Sequence, residues 1–151
     1  MKIFLTGGTD GIGLSASKIL LNDGHKIYVT YRNSKKLEKI KSSLRAFYEN
    51  RRLLFFKCDL AELEEIEKTI AEVRKLNIKF DCLINNAGTI LFKKSFNSMG
   101  IEKVFATNHL GPFHLTNSFI KENFIHPGGR IINVGSSAHQ TAVLDFNNLD
   151  S

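Results

Sequence analysis

The stretch Lys2-Ile3-Phe4-Leu5-Thr6-Gly7-Gly8-Thr9-Asp10-Gly11-Ile12-Gly13 decides the fold. Residues 2–6 form a short apolar run of the kind that makes a strand. A helical pattern takes over at residues 12–22, where Leu14, Ile19 and Leu20 are expected to share the buried stripe. The glycines between them let the backbone turn tightly and let a diphosphate approach the main chain. Freed amides and the dipole of the helix N-terminus then stabilise its negative charge. A plain strand-to-helix turn also favours glycine. What points to binding is the place of this one, after a first strand and before a helix.

Reading outward, Asp23-Gly24 closes the first helix, because glycine takes the left-handed cap without a Cβ penalty. Residues 26–30 are β-branched and short, hence a second strand. Asn33 or Ser34 caps a helix carrying Leu37, Ile40, Leu44 and Phe47 at spacings of three and four. Residues 53–58 predict a third strand, and 62–76 a helix with Leu63, Ile66, Ile70 and Val73 inward. Residues 81–85 predict a fourth strand, 100–123 a long helix and 130–134 a fifth strand. Strands that read as continuous apolar runs, separated by amphipathic helices, predict a parallel sheet covered on both faces. Right-handed crossovers make it a doubly wound α/β/α sandwich. With no internal repeat or linker, residues 1–151 read as one domain.

Composition narrows the class. The chain has 151 residues, 42% hydrophobic and 24% charged, with two cysteines. Such a chain is neither disordered, nor collagen-like, nor a disulfide-rich mini-protein. No apolar run reaches the length of a membrane span, and Met1 leads directly into residues 2–5 without a signal-like stretch. Cys58 and Cys82 lie in apolar runs without metal or CxxC spacing, which suggests core thiols in a reducing, cytoplasmic compartment. The twelve phenylalanines are expected in the core. The net charge of +6 is blockwise: residues 32–57 carry nine Lys or Arg against Glu38 and Glu49, and residues 59–72 carry six acids against Lys68. Blocks of this kind are solvated helix faces. Without a nucleic-acid motif or interleaved aromatics, nucleic acid is not an expected partner. The five histidines show no zinc spacing, so no metal is expected. Ser136 and His139 lack the GxSxG elbow of a hydrolase.

The spacing Gly7-xxx-Gly11-x-Gly13 differs from GxGxxG and resembles the TGxxxGxG fingerprint of the short-chain dehydrogenase/reductase family. Further matches come in the family's order: Cys58-Asp59-Leu60, Asn85-Asn86-Ala87-Gly88, Thr107-Asn108-His109-Leu110-Gly111, and residues 130–139 ending in Val134-Gly135-Ser136-Ser137-Ala138-His139. Residues 108–116 (NHLGPFHLT) and the Ser136-Ser137-Ala138-His139 stretch resemble those of the retinol dehydrogenase and WW-domain oxidoreductase group. The resemblance implies a Rossmann-fold NAD(P)-binding domain and a set of roles. Gly7, Thr9, Asp10, Gly11, Ile12 and Gly13 would line the diphosphate and adenosine ribose. Asp59 and Leu60 would hold the adenine, and Asn86, Ala87 and Gly88 would flank the ribose. Asn108 would bind a water in a proton relay, unless it is a helix side chain bonded to nearby backbone. Ser136 would hydrogen-bond the substrate oxygen, with Ser137 one place on as the alternative.

Strand two ends at Thr30-Tyr31-Arg32, where an Asp would bind the ribose 2′-hydroxyl and select NAD. Tyr31 occupies that place, and the guanidinium of Arg32 suits a 2′-phosphate, so NADP(H) is expected over NAD(H), unless Arg32 is a mere surface charge. The family's Tyr-xxx-Lys pair does not follow Ser136. The match Tyr31 to Lys35 lies on the adenosine side, and Tyr28 and Tyr48 are followed four places on by Arg32 and Arg52. Residues 143–150 resemble the loop that precedes the catalytic Tyr, so the stretch reads as the N-terminal part of a longer chain. Sheet surface near Leu83, Ile132 and Val134 is then expected to lack cover, and a homo-oligomer could form through the long helix with Phe105, Leu110 and Phe113. The leading expectation is an NADP(H)-dependent oxidoreductase acting on a small-molecule alcohol or carbonyl. A catalytically inactive nucleotide-binding or interaction module is the alternative. A sugar-nucleotide epimerase would need TGxxGxxG, and Asp10 stands where its second Gly belongs.

Overall fold

A computed structural model describes residues 1–141, 145 and 147. Each central strand presents apolar side chains to both faces, so helices must cover both. In β1 (Lys2–Leu5), Phe4 joins one core while Ile3 and Leu5 join the other. β2 (Lys26–Tyr31) repeats the division with Tyr28 against Ile27 and Val29. With β3 (Leu53–Lys57), β4 (Phe80–Asn85) and β5 (Ile125–Asn133) they form one parallel sheet in the order β3-β2-β1-β4-β5.

Helices α1 (Gly11–Asn22) and α2 (Ser34–Ser43) close one face through Leu21 and Ile40. On the other face lie α4 (Leu63–Lys75) and α6 (Gly111–Lys121), with Ile66, Ile70, Val73, Leu115 and Phe119 buried. Phe4 is the hub of that face, with ring centroids 5.6 Å from Phe56, 5.4 Å from Phe80 and 4.9 Å from Phe119. Burying each such ring contributes about 1.5–3 kcal/mol, so these phenylalanines serve packing. Short α3 (Arg45–Glu49) continues from α2 to β3. Cys58 and Cys82 are buried free thiols, and burial pushes Cys58 up to about 11, which keeps it protonated and unreactive near neutral pH.

Several expected details differ. Leu14 and Leu20 pack against the core as expected, but Ile19 is 61% exposed, and the fully buried positions of α1 are Gly13, Ser17 and Leu21. This helix approaches the sheet over small residues: the Ser17 hydroxyl donates to the Gly13 carbonyl at 2.9 Å. Leu63 is also exposed, at the rim of a groove shared with Met99 and Phe113. Leu83 is fully buried, because it faces Leu115 and Phe119, whereas Ile132 and Val134 are 44% and 50% exposed. β5 begins at Ile125, and its pairing with β4 breaks around His126-Pro127-Gly128-Gly129 before resuming at Arg130.

The long helix is not uniform. Glu102 caps it, its carboxylate accepting from the amides of Val104 at 2.9 Å and Phe105 at 2.7 Å. One turn of α5 (Lys103–Phe105) then passes into a π-helical turn, Ala106–Leu110, before α6. Pro112 lies in the first turn of α6, where a missing N–H costs least. π-turns inside helices concentrate at functional sites, and this one holds Asn108.

Candidate functional site

The order of strands reverses between β1 and β4, and ligands bind open α/β sheets at such a reversal, beyond the carboxyl ends of the strands. Here the two ends are bolted together. The buried Thr6 hydroxyl accepts from the amides of Asn86 and Ala87, both at 3.0 Å, and the Asn86 side chain donates back to the Thr6 carbonyl at 2.9 Å. The Gly7 amide donates to the Thr30 hydroxyl at 3.0 Å, which ties in β2.

These ends open into a cleft of about 550 Å³. Gly7, Thr9, Asp10, Gly11, Ile12, Gly13, Arg32, Asp59, Leu60, Asn86, Ala87 and Gly88 all line it. Gly11 takes φ +49°, and a Cβ there would meet no protein atom within 4 Å, so the main chain lies bare toward open space. A bare glycine turn at a helix N-terminus fits the diphosphate of a dinucleotide.

Charge gathers at the β2 side. Asp10 caps α1 by accepting from the Gly11 amide at 2.9 Å, and its other oxygen pairs with the Lys36 ammonium of α2. The Lys36 hydrogen bond, helped by the Gly11 amide, holds the Asp10 carboxyl below the usual range. Opposite, Arg32 lies 3.9 Å from Asp59. The Asp59 turn is fixed in two ways: its amide donates to Glu65 at 2.7 Å, and its carboxylate accepts from the Ala61 amide at 3.0 Å.

The other end is built differently. Asn108 grips the chain beyond Gly88: it accepts from the Thr89 amide at 2.8 Å and donates to the Thr89 carbonyl at 2.9 Å. Ser136 is exposed just past β5, its hydroxyl accepting from the Ala138 amide at 3.2 Å, while the ring of His139 lies 2.5 Å from the Ser136 carbonyl. Neither side chain lines the cleft; their neighbours Thr107 and Val134 do. Residues 143–150, which resemble the loop before the family's catalytic Tyr, lie outside the described residues apart from 145 and 147. Asn33, expected as a candidate cap of the second helix, does cap α2 by accepting from the Lys36 amide at 3.1 Å, and it also lines the cleft; sequence reasoning missed the site roles of Thr6 and Lys36. Thr6 carries a signal in its place before the glycines; Lys36 looks like any surface lysine of an amphipathic helix.

A family model described as "short chain dehydrogenase" matches residues 1–147. The chain belongs to the short-chain dehydrogenase/reductase family. Short-chain dehydrogenase TIC 32 A, chloroplastic, of Brassica napus is 37% identical over 146 residues, covering 92% of this chain and 45% of that one. Human retinol dehydrogenase 12 is 32% identical over 153 residues, covering 99% and 47%. Among solved structures, a blue fluorescent protein from a metagenomic library, in complex with NADPH, superposes with a TM-score of 0.74 at 26% identity, over 93% of this chain and 57% of that one. The chain thus spans about half the length of the curated relatives it matches. Among the described residues, no helix is long and apolar enough to cross a membrane.

Proposed function

We propose that the chain is the nucleotide-binding part of an NADP(H)-dependent oxidoreductase acting on an apolar alcohol or carbonyl. The observation that carries the coenzyme reading is Arg32, at the end of β2, lining the cleft beside Tyr31 where an acid would select NAD. Gly7 to Gly13 would hold the diphosphate, Asp59 and Leu60 the adenine, and Asn86 to Gly88 the ribose. Bound there, the coenzyme would supply two-electron redox chemistry. Ser136 would orient the substrate oxygen, while Asn108 fixes the segment beyond Gly88 through its two hydrogen bonds to Thr89.

The apolar character of the substrate rests on Ile90, Leu91 and Phe92, exposed directly after the ribose-flanking segment, and on Val134 in the cleft wall. The retinol dehydrogenase relative, named for an apolar alcohol, supports the same class. A cytoplasmic location belongs to this proposal. The second reading, an inactive nucleotide-binding module, draws on the absence of Tyr-xxx-Lys after Ser136 within these 151 residues.

Arg32→Asp tests the coenzyme reading. It should weaken NADPH binding about ten- to a hundredfold, the scale of one charge-assisted contact, and spare or improve NADH. Equal losses in calorimetric titrations of both nucleotides would make Arg32 structural. A homo-oligomer is the remaining part of the proposal. Phe113, Met99 and Leu63 border an exposed apolar groove of about 240 Å³, and a contiguous apolar surface favours self-association. Light scattering should therefore report a species larger than the monomer, which a Phe113→Glu substitution reduces.

A further inference from the structure

Arg32 is not the only cation in the cleft. Among the described residues lining it, the charged side chains are Asp10, Arg32, Lys36 and Asp59, two of each sign. A site whose own charges cancel has no general pull on a 2′-phosphate, so selectivity depends on which ion pair opens. Arg32 and Asp59 are 3.9 Å apart, a loose pair, while Lys36 is hydrogen-bonded to Asp10. The Asp10 carboxylate is also fixed from behind by the Gly11 amide, so it stays at the cleft mouth whether or not Lys36 remains.

We infer that Lys36 and Asp10 form an exchangeable ion pair that sets nucleotide selectivity: Lys36 leaves Asp10 to take the 2′-phosphate, and Asp10 left alone disfavours that phosphate. This deepens the NADP(H) reading above and rests on it. The exchange is physically easy. Both side chains are more than half exposed, and an exposed ion pair holds little free energy. Lysine carries its charge on a flexible four-carbon stem, so the ammonium can change partner without moving α2. A phosphate offers more charge and more acceptor oxygens than the carboxylate it displaces. Without Lys36, the anchored carboxylate repels a 2′-phosphate and keeps one oxygen free to accept from an unphosphorylated ribose hydroxyl. The acid that selects NAD is thus already present, on the glycine turn and masked by Lys36.

The test is calorimetric titration of NADPH and NADH against the purified protein and the variants Lys36→Gln, Asp10→Asn and the double substitution. Both changes suit their places: glutamine is a good helix former, and asparagine caps a helix as well as aspartate does. Lys36→Gln should weaken NADPH by about tenfold or more while NADH is held or improved. Asp10→Asn should strengthen NADPH several-fold without strengthening NADH. In the double variant the loss caused by Lys36→Gln should shrink, because the repelling carboxylate is gone. If the unsubstituted protein prefers NADPH and Lys36→Gln leaves the NADPH-to-NADH ratio unchanged, or lowers both affinities equally, the ion-pair inference is overturned and the Arg32 reading stands. If the unsubstituted protein does not prefer NADPH, both are overturned.

Discussion

Gly13→Ala is expected to abolish measurable nucleotide binding and to destabilise the fold. A Cβ on Gly13 would stand 2.3 Å from the Gly7 carbonyl oxygen and 2.5 Å from the Asn86 side-chain nitrogen. Neither atom is free to retreat. Gly7 is held through its amide to Thr30, and the Asn86 nitrogen donates to Thr6. The start of α1 must therefore move away from the turn, and with it the amides that would face the diphosphate. Overpacking of this kind typically costs about 1–3 kcal/mol, a large part of the ~5–15 kcal/mol that holds a domain folded. Alanine is otherwise the better helix residue by about 1 kcal/mol, so a net loss identifies the clash as its source. Gly135→Ala is the matched control, since a Cβ there meets nothing within 4 Å. Denaturant unfolding and calorimetry should separate the two variants; equal behaviour would refute the close-approach argument.

Much of this architecture is legible in the chain because it is written in local patterns. Apolar runs at residues 2–6 and 26–30 are strands whichever neighbour they pair with, and the glycine turn reports its own geometry. What stays hidden depends on distant partners. α1 is apolar on most of its surface, so its spacing does not say that Ser17, rather than Ile19, faces the sheet. Leu83 and Ile132 look alike as strand residues; only the placement of α6 buries one and leaves the other exposed. The π-turn at Ala106–Leu110 follows an ordinary helical pattern and shows itself only through the Asn108 grip on Thr89. Lys36 was illegible for the same reason, since its partner Asp10 is 26 positions away in sequence.

The purified chain of residues 1–151 is expected to show no detectable NADPH-linked carbonyl reduction. Reduction of a carbonyl needs a proton for the oxygen, and a positioned acid typically contributes about 10²–10⁴-fold. In the role proposed above Ser136 would orient that oxygen, but a serine hydroxyl without an activating partner is a poor acid. The nearby His139 ring is turned to the Ser136 carbonyl, not to its hydroxyl. Asn108 has no proton to give near neutral pH, and its polar atoms are engaged with the Thr89 backbone. None of the three tyrosines stands in. Tyr28 is buried within β2, where burial pushes its phenol up; Tyr48 lies on α3; and Tyr31 ends β2, separated from β5 by β1 and β4. On the proposed reading, a chain in which residues 1–151 are followed by a helix bearing Tyr-xxx-Lys should be active, because that helix would supply a positioned proton donor. Steady-state assays with NADPH and an apolar aldehyde, run on both chains, decide the matter. Robust reduction by residues 1–151 alone, lost on Ser136→Ala, would show that the serine finds its proton from a source already within this chain.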